Sequence, residues 1–377
     1  MSLINYLTTI DFEPGAVARV ADIARQAGMS RPLLVTDPGL AAGPVFARVR
    51  EALGAMPHAV YDRTPQNPTE EAAEEGAARY RDEGCDGVIA VGGGSPIDLG
   101  KAVALLATHE GPIGQYAAIR GGMARITPRV APLVAVPTTA GTGSEVGRAS
   151  LITLRDGSKL GIIGPPMIPK AAICDPDLTL GLPPGLTAAT GMDALTHCFE
   201  TYLSPRVNPP ADAIALDGAA RAAKWIRAAV EDGANREARW HMMMASLQGG
   251  LTFQKGLGAV HSMSHPLGGL KDPVLHHGTL NAVILPAVLR FNRSHAEEKC
   301  DALARAVGVS SGAELAGFVE RLNAALGLPP SLRAMGVREE VIPRMIDGAL
   351  ADHSTATNPR PVSRDEFGRL FAEAMGA

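Results

Sequence analysis

The sequence predicts an α/β N-terminal domain followed by an all-α C-terminal domain. Three observations predict it. Up to about residue 180, short apolar runs alternate with amphipathic helical stretches, the pattern of a parallel sheet covered by helices. Beyond that point β-type runs become rare and helical periodicity takes over. Within the first part, Gly92-Gly93-Gly94-Ser95-Pro96 follows an apolar run directly and leads into a helix, a place where backbone N–H groups meet an anion.

Taken in order, residues 17–27 are helical and stop at Gly28. Residues 32–36 are a buried strand closed by Asp37-Pro38-Gly39, a turn signal. A helix over 45–53, a strand over 59–61 and an Ala- and Glu-rich helix over 70–83 follow. The strand over 86–91 runs into the glycines, with Ser95 as N-cap and Pro96 in the first turn of a helix continuing through 97–106. Residues 132–136 are one more strand. Helices then cover 186–203, 211–230, 237–253, 296–307, 313–326, 339–350 and 364–375. The boundary falls near Gly181-Leu182-Pro183-Pro184, giving domains 1–181 and 182–377, with a cleft between them as the expected binding site.

Composition narrows the function. The 377 residues are 46% hydrophobic and 20% charged, an ordinary globular balance. A net charge of −4 gives no reason to expect nucleic acid or an anionic membrane, and 4% aromatics provide no base-stacking surface. Cys85, Cys174, Cys198 and Cys300 are scattered without CxxC pairing; with no signal-peptide pattern and no long apolar run, the cytoplasm is the expected location.

Two loops suit a cofactor. Three successive glycines at 92–94 suit close approach of a diphosphate; a tight strand-to-helix turn is the alternative, but a turn alone rarely needs three glycines in a row. The spacing is not GxGxxG. A second loop, Pro137-Thr138-Thr139-Ala140-Gly141-Thr142-Gly143-Ser144-Glu145, also follows a strand and alternates hydroxyls with small residues. Asp37, at the end of a strand, is either a turn residue or an acceptor for a ribose hydroxyl; the second role would favour NAD and repel the 2′-phosphate of NADP.

Chemistry concentrates in Gly191-Met192-Asp193-Ala194-Leu195-Thr196-His197, where Asp193 and His197 lie one helical turn apart. Downstream, His261 and His265 repeat that spacing, and His276-His277-Gly278 follows. An Asp–His pair alone reads as a hydrogen bond. With several more histidines it reads as a nitrogen-and-oxygen ligand set for Fe²⁺ or Zn²⁺ rather than Mg²⁺ or Ca²⁺. Five candidates for four places leave one histidine for another task.

The glycine loop, the Thr-rich loop, the Asp193–His197 motif and His261-Ser262-Met263-Ser264-His265-Pro266-Leu267-Gly268, together with Asn358-Pro359-Arg360, closely resemble the iron-containing (group III) alcohol dehydrogenases over nearly the whole chain. The resemblance implies an α/β N-terminal dinucleotide-binding domain over 1–181 and a helical metal-binding and catalytic domain over 182–377 in a dehydroquinate synthase-like fold, with reversible hydride transfer between a primary alcohol or aldehyde and NAD or NADP. It places the metal on Asp193, His197, His261 and His277, with Fe²⁺ first and Zn²⁺ as the alternative. His265 falls near the nicotinamide, in a proton-transfer role. Gly93, Gly94, Ser95, Asp98, Thr138, Thr139, Asn67 and Lys159 fall on cofactor-contacting positions. The chain departs from the commonest members in a longer segment before His277, which leaves His276 open as the fourth ligand. It also departs at Phe253-Gln254-Lys255. A maleylacetate reductase-like or dehydroquinate synthase-like activity is the alternative, and the metal set argues against the former. Arg148 and Lys255 are either solvated rim residues or the cations that select an anionic substrate such as a semialdehyde. No nucleic acid or membrane partner is expected, and a homodimer is left open.

Overall fold

The structure is a computed structural model that describes residues 4, 6 and 8–376. The chain divides into two compact units, Tyr6–Thr139 with Gly143–Leu180, and the segment from Gly181 onward with Ala140–Thr142.

The first unit is built on eight strands: β1 (Thr9–Phe12), β2 (Pro32–Val35), β3 (Ala59–Tyr61), β4 (Gly87–Gly92), β5 (Leu133–Pro137), β6 (Ala149–Thr153), β7 (Lys159–Ile163) and β8 (Ala171–Cys174). Six form one parallel sheet in the order β1-β8-β5-β4-β2-β3, while β6 and β7 pair as an antiparallel hairpin. The inner strands are apolar on both faces. Leu33, Val35, Val88 and Ala90 join one core cluster, whereas Leu34, Ile89 and Val91 join the other. That alternation is the period-two geometry of a strand buried between helical layers. β1, β8 and the hairpin were not foreseen. β1 and β8 are only four residues each and carry no long apolar run. The hairpin did leave a signal, Asp156-Gly157 between two runs, which is a turn dipeptide.

One local expectation is corrected. The helix after β4 is Gly94–Leu106, so Gly93 is its N-cap and Ser95 lies inside the first turn. Ser95 donates its hydroxyl proton to the carbonyl of Gln66 instead. Gly92 adopts φ +148°, and a Cβ there would lie 2.5 Å from Pro96; that position explains the glycine without a ligand.

The second unit is helical. Its axis is the helix Pro184–Leu203, buried along most of its length and packed on Pro209–Glu231, Arg236–Leu251 and His277–Asn292. Asn208 and Asn235 cap two of these neighbours, each accepting a backbone N–H with its side chain. The helix Ala259–Gly268 packs on His277–Asn292 and Ile342–Ala351. Among the described residues no helix is long and apolar enough to cross a membrane.

Candidate metal and dinucleotide sites

Asp193 and His197 project from one face of the buried helix Pro184–Leu203. The Asp193 Oδ1 atom stands 3.6 Å from His197 Nε2, 3.9 Å from His261 Nε2 and 3.8 Å from His277 Nε2. Bonds of about 2.1 Å to a tetrahedral metal set ligand atoms roughly 3.4 Å apart, so the three distances from Asp193 are close to what such an ion requires, and Asp193, His197 and His261 offer ligand atoms all within 4.8 Å of one another. The imidazole of His261 is pushed well below its ordinary pKa by burial, with the charges of His197 and His265 adding to it. A neutral imidazole is the ligating form. The donor set fits an Fe²⁺ or Zn²⁺ ion.

Two of the candidate ligands, His197 and His261, are aimed by what holds their far side. His197 Nδ1 donates to the carbonyl of Gly141 at 3.2 Å. His261 Nδ1 donates to Glu200 Oε2 at 2.5 Å, and Glu200 Oε1 accepts the Val260 N–H at 2.7 Å. Burial pushes the Glu200 carboxyl up to about 7, against the N–H groups that face it. His277 is the first residue of its helix, with His276 at the N-cap. Gly278 makes that approach possible, since a Cβ there would lie 2.2 Å from the carbonyl oxygen of Ala189. Asn281, one turn after His277, donates Nδ2–H to Asp193 Oδ1 at 2.7 Å and meets the Nε2 atoms of His261 and His277 at 3.2 Å.

His265 does not share this cage. Its Nδ1 donates to Asp352 Oδ2 at 2.8 Å, and its ring stacks on His277 with centroids 5.5 Å apart. Burial opposes ionisation of Asp352, yet His265 and His353 hold its carboxyl well below the usual range.

In the first unit the two loops meet: the Thr138 N–H donates to the Gly92 carbonyl, and a Cβ on Gly93 would lie 3.2 Å from the Thr139 side chain. Gly94 is the first residue of the helix Gly94–Leu106, and a helix N-terminus favours an anion. Lys159 donates to Asn67 Oδ1 at 3.0 Å, next to the Gln66–Ser95 contact, so three of the expected cofactor residues gather here. Asp98 is different. It accepts from the Ser144 hydroxyl at 2.6 Å on Oδ1 and from the Leu151 N–H at 3.0 Å on Oδ2, so one oxygen holds the turn at the end of the Thr-rich loop and the other braces the hairpin. Asp37 caps the helix Pro38–Ala41, accepting the Leu40 N–H on Oδ1 at 2.9 Å.

The two expected substrate cations part company. Lys255 is fully buried, with its ammonium on Asp212 and on the Tyr202 carbonyl. The reading of Lys255 as a cation free for substrate is therefore corrected: its charge is already neutralised inside the helical unit. Arg148 is half-buried, and among the described residues its guanidinium has no ion-pair partner.

Sequence reasoning missed Glu200, Asn281, Asp352 and His353. The first two had a signal: Glu200 continues the Asp193–His197 face at i+3, and Asn281 lies at i+4 from His277. Asp352 reaches His265 from 87 residues away, and no local pattern announces that.

Comparison with known proteins agrees across the chain. The family model described as "Iron-containing alcohol dehydrogenase" matches residues 8–176, and "Fe-containing alcohol dehydrogenase family, C-terminal" matches residues 187–375. A 4-hydroxybutyrate dehydrogenase of Cupriavidus necator is 53% identical over 382 residues, covering 100% of both chains. The crystal structure of a 1,3-propanediol oxidoreductase superposes with a TM-score of 0.93 at 38% identity, over 99% of this chain and 100% of that one. A sulfoacetaldehyde reductase from Bifidobacterium kashiwanohense, solved in complex with NAD⁺, gives 0.91 at 28% identity, over 100% and 99% of the two chains.

Proposed function

The chain belongs to the iron-containing alcohol dehydrogenase family, and from that premise we propose that it interconverts 4-hydroxybutyrate and succinic semialdehyde with NAD. The observation that carries the substrate is the full-length 53% identity to a 4-hydroxybutyrate dehydrogenase. The enzyme is a metal-dependent, NAD-linked alcohol dehydrogenase.

Asp193, His197, His261 and His277 hold the metal, with His277 rather than His276 in the fourth place because its Nε2 faces Asp193. An Fe²⁺ ion held there, for which Zn²⁺ is the alternative, would supply Lewis-acid chemistry at the reacting oxygen, and bound NAD would supply the hydride acceptor. His265, with Nδ1–H committed to Asp352, keeps Nε2 as the atom that takes the hydroxyl proton on oxidation and returns it on reduction. Gly93 and Gly94 let the diphosphate approach the helix N-terminus. Thr138, Thr139, Asn67, Ser95 and Lys159 flank it, Asp98 shapes the same region by bracing the hairpin, and Asp37 faces the ribose. Arg148 offers the unpaired charge for the substrate carboxylate. The four cysteines are buried free thiols, which suits a cytoplasmic enzyme.

Steady-state kinetics with NADH and the iron-loaded enzyme test the reading. Succinic semialdehyde is expected to exceed butyraldehyde in kcat/KM by at least about tenfold, the worth of one charge-assisted contact. Equal efficiencies would remove the hydroxy acid as substrate and leave the dehydrogenase class standing.

A further inference from the structure

We infer that His265, Asp352 and His353 form a second divalent-cation site beside the metal centre, suited to Zn²⁺ or Fe²⁺. Two imidazoles converge on one carboxylate, each on its own oxygen. His265 Nδ1 lies 2.8 Å from Asp352 Oδ2, and His353 Nδ1 lies 3.7 Å from Asp352 Oδ1. The two rings lie nearly parallel, 17° apart with centroids at 5.8 Å. All three residues offer a ligand atom within 4.8 Å of the other two. Ligand atoms around a tetrahedral ion stand roughly 3.4 Å apart, so small side-chain rotations close the set.

The residue types select the ion. Two histidines and one carboxylate form the set that zinc hydrolases and non-haem iron proteins use, leaving positions open to water. Mg²⁺ and Ca²⁺ want oxygen ligands and would gain one only from Asp352. The carboxylate is held in place, since Asp352 Oδ1 also accepts the Ser354 N–H at 2.8 Å at the start of the turn His353–Thr357. The His353 side chain is 39% exposed, so an ion reaches the group from solvent. A second imidazole is more than the His265–Asp352 hydrogen bond requires, because that carboxylate already has His265 on one oxygen and Ser354 on the other.

Binding moves a proton across the ring. As Nδ1 turns its lone pair to the ion, the single proton of the neutral imidazole passes to Nε2, which can then no longer accept one. His265 is then fixed as a ligand through Nδ1, with its ring still stacked on His277. Filling this site therefore slows turnover, whichever alcohol the enzyme uses.

The test starts from enzyme holding one equivalent of metal, titrated with Zn²⁺ against a chromophoric chelator while aldehyde reduction is followed. A second equivalent should bind in the wild type, and the rate should fall as it fills. His353→Ala and His353→Asn should weaken only that second equivalent, by about tenfold or more, and each should escape inhibition relative to its own starting rate. A wild type that holds one equivalent only overturns the inference. So does a second equivalent bound with the same affinity by both variants, which would mark it as adventitious surface binding.

Discussion

The Nδ1–H of His261 donates to Glu200 Oε2 at 2.5 Å, and Glu200 reaches it from the same helix that carries Asp193 and His197. One helix thus supplies two candidate ligands and the group that aims a third. Because Nδ1 holds the proton, Nε2 presents its lone pair toward Asp193.

Replacing Glu200 with Gln tests this. Both carboxylate oxygens accept, one from His261 and one from Val260, whereas an amide has a single acceptor. Either the Val260 N–H meets an NH₂ group, or His261 must move its proton to Nε2, where the metal belongs. Glu200→Gln is expected to weaken metal binding roughly 10–100-fold, measured by chelator competition on a variant with unchanged circular dichroism. Unchanged affinity would leave Glu200 a packing residue.

The fourth ligand can be read the same way. His277→Ala should lose most of the bound metal in elemental analysis of the purified protein, and His276→Ala should retain it. The basis is that His277 Nε2 stands 3.8 Å from Asp193 Oδ1 while His276 occupies the N-cap position. The opposite pattern would hand the site to His276.

These residues also mark how far the sequence could be read. Asp193 and His197 were legible as a candidate pair from their i, i+4 spacing, whereas His261 shares that spacing with His265 outside the cage, and His277 was singled out by the family resemblance and by Gly278 beside it. Glu200 sat on the same face and was passed over, since a Glu in a helix is ordinarily a solvated residue; its burial is a tertiary fact. Lys255 misled for the same reason. Nothing near it in the chain signals Asp212, which lies 43 residues upstream on another helix. β2, β4 and β5 were readable from apolar runs rich in Leu, Ile and Val, while β1 is broken by Thr9 and Asp11 and β8, although as long as β2, opens on two alanines that carry little β signal.

Lys255 and Arg148 should behave oppositely. Lys255→Met removes the partner of Asp212, whose side chain keeps 30% exposure. A cost of about 2 kcal/mol follows, less than for a fully enclosed pair. It should register as a lower urea midpoint, with KM for 4-hydroxybutyrate unchanged. Arg148→Leu should leave the midpoint alone and raise that KM about tenfold, with 1-butanol unaffected. A KM shift in the Lys255 variant instead would reinstate it as a substrate contact.

Stability should carry the mark of Glu145. This carboxyl is fully buried, and burial pushes it from 4.5 up to about 7, only partly opposed by Lys101. A folded-state value above the unfolded one means the native protein holds the proton more tightly. The stabilisation is complete below the unfolded value and disappears as pH rises through 7. The gap is worth up to roughly 3 kcal/mol. Glu145→Gln does not titrate, so its stability relative to wild type should improve by up to that amount between about pH 5 and pH 7.5. Urea midpoints at the two pH values measure it, and a constant difference would mean Glu145 is neutral or charged throughout.

Asp37 separates two roles that one substitution can pull apart. Its Oδ1 caps the helix Pro38–Ala41 by accepting the Leu40 N–H. Its charge, if it faces the ribose, repels a 2′-phosphate. Serine is as good an N-cap as aspartate and carries no charge. Asp37→Ser should therefore keep thermal stability close to wild type while lowering KM for NADP by about tenfold or more, with a smaller loss against NAD. Asp37→Ala should relax the cofactor preference in the same direction and also lose the cap, about 1 kcal/mol, seen as a lower melting temperature. If both variants keep the wild-type preference for NAD over NADP, the side chain serves only the helix, and cofactor choice is set elsewhere in the loop.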